Sequence, residues 1–193
     1  YIQIHKEADL ISNLRKQIEK LNSYTFSDEE WNRFFSDYIS NPNLGIVEKT
    51  RTIQEDYRKN LRRDDGSTKN IMLIDKSNIH NNILQVINQY TEDKGNYDNR
   101  YDVTILVNGL PLVHVELKRR GVALREAFNQ IDRYQRDSFW AGCGLYQFVQ
   151  IFVISNGVNT KYYSNTTRFN HIKDNANPSK KGKTSNSFEF TSY

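Results

Sequence analysis

Apolar residues recur along this chain first at helical and then at strand spacing. From about His5 to Asn22, Leu10, Ile11, Leu14, Ile18 and Leu21 fall on one stripe, which predicts an amphipathic helix. "SDEEWNRFFSDYIS" (27–40) opens with a capping box, Ser27 followed three residues later by Glu30. It then presents Trp31, Phe34, Phe35, Tyr38 and Ile39 as a core face. "NPN" at 41–43 stops that helix. Residues 45–69 fit neither period, although "DDG" marks a turn. "NIMLID" (70–75) reads as a short buried strand, and Ile79, Ile83, Leu84, Ile87 and Tyr90 predict a helix over about 77–92.

Alternation takes over in "RYDVTILVNGLPLVHVELKRRG" (100–121), two apolar runs meeting at Asn108-Gly109, the signal of a β-hairpin. A helix over about 122–136 follows, with Leu124, Ala127, Phe128 and Ile131 inward. "FVQIFVIS" (148–155) is almost uniformly apolar, as a central strand covered on both faces would be, and "TKYYSN" (160–165) reads as a further strand. The stretch 173–187, "KDNANPSKKGKTSNS", is polar, basic and expected to be mobile. The order of elements implies one α/β domain over 1–193, a mixed central β-sheet flanked by helices.

Composition narrows the chemistry. The 193 residues are 37% hydrophobic, and the mean hydropathy is −0.78. No stretch approaches the roughly 18 apolar residues of a membrane span, and no signal-peptide pattern opens the chain. Tyr1 in place of Met suggests a piece of a longer polypeptide. Cys143 is the single cysteine, which rules out a disulfide framework and a thiolate-rich zinc site and fits a reducing cytoplasm. His5, His80, His114 and His171 have no ligand-like spacing. A net charge of +4 weakly favours a polyanionic partner, and ordinary solubilising charge accounts for it equally well.

The hairpin holds the unusual chemistry. Alternation puts Leu112, His114, Glu116 and Lys118 on one face of the second strand. A plain two-residue turn would pair Asp102 with Val115 and separate the two acids. An odd loop, or a bulge of equivalent effect, would set Asp102 opposite Glu116. If they share a face, two carboxylates repel unless a cation lies between them. Mg²⁺ suits such a pair: it prefers oxygen ligands and keeps several waters, and Lys118 beside it could orient a water or neutralise charge on a phosphate. The bland alternative is a solvated Glu-x-Lys pair on a half-exposed strand.

Asp, a short hairpin and Glu-x-Lys resemble the core of PD-(D/E)xK nucleases. "REAFNQIDRY" adds Gln130 and Tyr134, a Q-x-x-x-Y on one helical face, and "FVISNG" follows. Together these blocks are similar to the N-terminal nuclease domain of the restriction (motor) subunit, HsdR, of type I restriction–modification enzymes, through most of residues 20–167. The resemblance implies a restriction-endonuclease-like core with Asp102, Glu116 and Lys118 as the catalytic trio. It implies Mg²⁺ held by Asp102, Glu116 and the Leu117 backbone carbonyl, and Gln130 and Tyr134 as an accessory motif that contacts DNA.

It further implies cleavage of double-stranded DNA coupled to ATP-driven translocation by helicase-like motor domains C-terminal to Tyr193. The methyltransferase and specificity subunits would be partners, in a bacterial or archaeal cytoplasm. ATP is not expected to bind this segment, because "GKT" at 182–184 lacks the glycine that a phosphate-binding loop needs at 177, where Asn177 stands. Nucleases of this fold often carry a further upstream Glu. Glu7, Glu19 and Glu55 are candidates, and a residue before Tyr1 is the better guess. Arg119 and Arg120 read as phosphate contacts beside the site, or as a strand exit in solvent. The rival reading is a catalytically silent DNA-binding or docking module of the same fold, whose sign would be loss of one member of the trio.

Overall fold

A computed structural model describes residues 1–165 and 191–192. Three helices come first: α1 (Glu7–Asn22), α2 (Asp28–Tyr38) and α3 (Ile46–Gln54). The stripe on α1 is buried at Leu10, Leu14 and Ile18. The α2 capping box forms in both directions, Glu30 N–H to Ser27 Oγ and Ser27 N–H to Glu30 Oε2, each at 3.1 Å. Trp31, Phe34, Phe35 and Tyr38 of this helix pack as one aromatic group with Phe26, which precedes its cap.

The ambiguous region after α2 holds α3 and a separate two-stranded hairpin, β1 (Arg58–Arg62) with β2 (Thr68–Met72). "NIMLID" therefore contributes its first residues to this hairpin rather than to the main sheet.

The main sheet runs β3-β4-β5-β6-β7-β8: β3 Leu84–Glu92, β4 Asn99–Val107, β5 Leu110–Leu117, β6 Ile151–Ser155, β7 Thr160–Ser164 and β8 Thr191–Ser192. It is mixed, with β5 and β6 parallel and the other neighbours antiparallel. Helix α4 (Leu124–Asp137) makes the β5-to-β6 crossover and lies on the face that carries His114 and Phe152. The basic stretch 173–187 lies outside the described residues.

Two expectations from the hydrophobic pattern are corrected. The helix over 77–92 is instead a 3₁₀ turn (Ile79–Asn81) followed by strand β3. Gln89 adopts φ +55°, which breaks strict alternation, so Ile87 and Tyr90 both turn inward. Inward residues three apart mimic a helical stripe. Ile79 (70% exposed) and Leu84 (71% exposed), read as part of that stripe, lie in solvent. Strand β6 is also not covered on both faces: Phe152 and Ile154 are buried, whereas Ile151 is exposed.

Candidate active site

The hairpin that brings the acids together is fixed at its turn. Asn108 (φ +50°) and Gly109 (φ +84°) form a two-residue turn with both residues left-handed. A Cβ on Gly109 would come within 2.6 Å of Leu14 Cα, so α1 sits directly on the turn. Asn108 is fully buried: its side chain donates to the Leu73 carbonyl (3.0 Å) and Asn82 Oδ1 (2.8 Å) and accepts from Ile83 N–H (2.8 Å).

Continued without interruption, this turn would set Asp102 opposite Val115. The register shifts instead. Leu106 pairs with Pro111, but Ile105 pairs with Val113, which leaves Leu112 as an extra residue on β5. Pro111 has no N–H for the ladder and stands at the position where an irregularity is tolerated. The Leu112 carbonyl is used by Gln150 N–H at 2.8 Å. From the bulge onward Thr104 faces His114 and Val103 faces Val115, so one further step places Asp102 opposite Glu116.

At that step the ladder gives way to side chains. The Leu117 amide donates to Asp102 Oδ2 at 2.9 Å in place of a main-chain carbonyl. Glu116 is fully buried, and its Oε1 accepts from Lys118 Nζ at 2.9 Å. Lys118, with 18% of its side chain exposed, also donates to Gln130 Oε1. The Gln130 amide in turn donates to the Tyr134 hydroxyl, which donates to the Arg100 carbonyl at 3.0 Å. Strand β4, helix α4 and strand β5 are thus linked by one relay ending at the Glu116 carboxylate. Burial holds the Tyr134 hydroxyl above the ordinary phenol range, and the charges of Glu116 and Asp102 push it further. It is therefore a neutral donor at physiological pH.

The structure separates the two helical residues. Gln130 borders the open cleft, whereas the Tyr134 ring is buried with Ile131 against Tyr101 and His114, and only its hydroxyl belongs to the relay. Phe128 packs on Tyr163. His114 is a packed neighbour, enclosed by aromatic rings.

Two clefts meet at a wall shared by Leu117, Lys118 and Arg119. One, of about 540 Å³, is lined from α4 by Asn129, Gln130 and Arg133. The other, of about 430 Å³, is lined by Asn88, Gln89 and Asp102. Arg120 follows Arg119 on the exposed exit from β5. The sequence pattern alone does not single out Arg133 or Gln89. Arg133 lies one helical turn from Gln130, which was the available signal. Gln89 falls within the helix that the pattern predicts over 77–92, which conceals it.

The candidate upstream acids are engaged elsewhere. Glu7 pairs with Lys94 and accepts from Cys143 N–H, Glu19 pairs with Arg15, and Glu55 pairs with Arg51. Among the described residues, no three His, Cys, Asp or Glu side chains converge as a ligand set. No helix among them is long and apolar enough to cross a membrane.

The family described as "Type I restriction enzyme R protein N terminus" matches residues 2–171. The EcoprrI endonuclease subunit of a type I restriction enzyme from Escherichia coli is 51% identical over 159 residues, covering 82% of this chain and 50% of that protein. The SsaAORF53P endonuclease subunit from Staphylococcus saprophyticus is 39% identical over 169 residues, covering 85% of this chain and 17% of its own length. A putative type I endonuclease subunit, MjaIXP, from Methanocaldococcus jannaschii is 35% identical over 106 residues, or 52% of this chain and 10% of that protein. The chain therefore spans half or less of each of these relatives.

Proposed function

The chain belongs to the family of type I restriction enzyme R-protein N termini, and on that premise we propose that it is the DNA-cleaving module of such an enzyme. Its reaction is Mg²⁺-dependent hydrolysis of phosphodiester bonds in double-stranded DNA. The observation that carries this reading is the bulge at Leu112, which sets Asp102 opposite Glu116 while Lys118 lies on the Glu116 carboxylate.

The donor set suits a hard divalent cation. Glu116 Oε2 is buried without a hydrogen-bond donor, and Asp102 stands across the ladder from it. Mg²⁺ keeps several waters, so two carboxylates and the Leu117 carbonyl make a sufficient protein contribution. When bound, such an ion supplies charge neutralisation and a lowered pKa of water. The chain's own residues do the rest. Lys118 presents a cation at the junction of the two clefts, where a scissile phosphate would lie, and Gln130 and Tyr134 fix its ammonium. Arg119, Arg120 and Arg133 supply phosphate contacts along the groove.

By the same reading, motor domains elsewhere in the full polypeptide use ATP for translocation. Methyltransferase and specificity subunits choose the DNA site, and the assembly works in the cytoplasm. The test is Lys118→Ala in the assembled enzyme, with cleavage and ATP hydrolysis followed together. Loss of cleavage with ATPase intact is expected. Cleavage at the wild-type rate would overturn the assignment.

A further inference from the structure

Beneath the carboxylate pair lies a second polar group that the reading above does not use. His114 is two residues before Glu116 on β5 and shares its face. It is 0% exposed, and its ring stands edge-on to Tyr101, Tyr134, Phe139 and Phe152, with centroids 5.5, 5.9, 5.6 and 6.5 Å away. Phenylalanine would fill this aromatic box without bringing polar atoms into it. Histidine brings two, and neither Nδ1 nor Nε2 has a hydrogen-bond partner. Glu116 Oε2, equally buried, also has none, and His114 Nε2 lies 3.6 Å from it. Buried polar groups are nearly always paired, so two orphans side by side mark an interaction that closes under working conditions.

Resting on the proposed nuclease reading, we propose that His114 is a positioning residue for Glu116. Its imidazole, donating from Nε2–H, supports Oε2 from below. A carboxylate shift of roughly half an ångström brings 3.6 Å to hydrogen-bonding distance. Lys118 then holds Oε1 from the open side and His114 holds Oε2 from the core, so the carboxylate plane is fixed facing Asp102. Asp102 has the corresponding support from the Leu117 amide. A carboxylate oxygen carries two lone pairs, so accepting from His114 leaves Oε2 a further site for a cation. Hydrogen-bonded partners of ligating carboxylates typically contribute 10–100-fold to metal affinity.

The deciding pair is His114→Met and His114→Gln, similar in size and differing in the presence of an N–H donor. Mn²⁺ binding is titrated by electron paramagnetic resonance on the 193-residue chain, with Asp102→Asn as control and thermal melts alongside. The expected result is Mn²⁺ binding weakened by ~10–100-fold in His114→Met and within about three-fold of wild type in His114→Gln. Melting temperatures of the two should agree. Equal affinity in the two variants, whether near wild type or equally reduced, would overturn the positioning role. If Met alone fails to fold, His114→Phe takes its place as the donor-free variant, with the same two outcomes. Wild-type chain that binds no Mn²⁺, or binds it equally after Asp102→Asn, overturns the metal reading itself. Binding lost in Asp102→Asn but unchanged in His114→Met overturns this inference alone.

Discussion

At the turn end of the β4–β5 hairpin, every polar atom of the Asn108 side chain is paired and Gly109 is pressed against α1. At the other end, about 20 Å away by strand rise from Asn108 to Asp102, Glu116 Oε2 and both nitrogens of His114 are buried without partners. One pair of strands therefore holds its most satisfied and its least satisfied polar groups. The contrast indicates a division of labour. The turn, with Leu112, fixes a register that the site end would not choose for itself, since bringing two carboxylates together is unfavourable.

Breaking the site end should affect chemistry far more than folding. Asp102→Ala or Glu116→Gln is expected to lower DNA cleavage by at least ~10³-fold. Glu116→Gln should melt close to the wild-type temperature, because relief of the repulsion with Asp102 offsets the loss of charge beside Lys118, which keeps Gln130 and an amide oxygen as acceptors. Calorimetry showing a large loss of stability would mean that the carboxylate holds the fold together.

Breaking the turn end should do the reverse. Asn108→Ala leaves the Ile83 amide and the Leu73 carbonyl without their partner and is expected to cost ~3 kcal/mol in urea unfolding. Gly109→Ala combines a left-handed backbone with a 2.6 Å approach to Leu14 and should cost a similar ~2–4 kcal/mol. A change below ~0.5 kcal/mol in both would show that the register is set elsewhere.

The relay between α4 and β5 offers a finer cut. Tyr134→Phe leaves the ring packed and removes the hydroxyl that orients Gln130. Cleavage should fall by ~10-fold with about 1 kcal/mol of destabilisation. DNA affinity should not change, since the ring is buried; weaker binding measured by fluorescence anisotropy would make Tyr134 a DNA contact instead. The smallest effect is expected at the groove rim. Arg133→Ala should weaken DNA binding by only a few-fold and reduce the slope of log affinity against log salt by about one.

The same contrast explains what the sequence discloses. The α2 capping box and the Asn-Gly turn are local, with spacing and chemistry in one short stretch, and both were legible. The stripes on α1 and α4 were also legible, because amphipathic periodicity needs no knowledge of the partner. The register is open between two alternatives in the sequence, because Leu112 is displaced through Pro111 and the distant Gln150 amide. Strand β3 carries a helix-like pattern because a left-handed Gln89 has no compositional mark. The roles of His114 and Tyr134 depend on which rings enclose them, which is a property of the assembled core.

Motif searches commonly encode a site as residues at fixed separations, and the bulge shows why that description is incomplete here. Thirteen residues lie between Asp102 and Glu116, and the odd one is absorbed at Leu112. A chain with twelve between them and an uninterrupted ladder would present the same two carboxylates to each other. A chain with the identical string of thirteen but a straight strand would point them to opposite sides. Alignments of such hairpins should therefore tolerate a one-residue gap near this position, and an intact motif is no guarantee of an intact site.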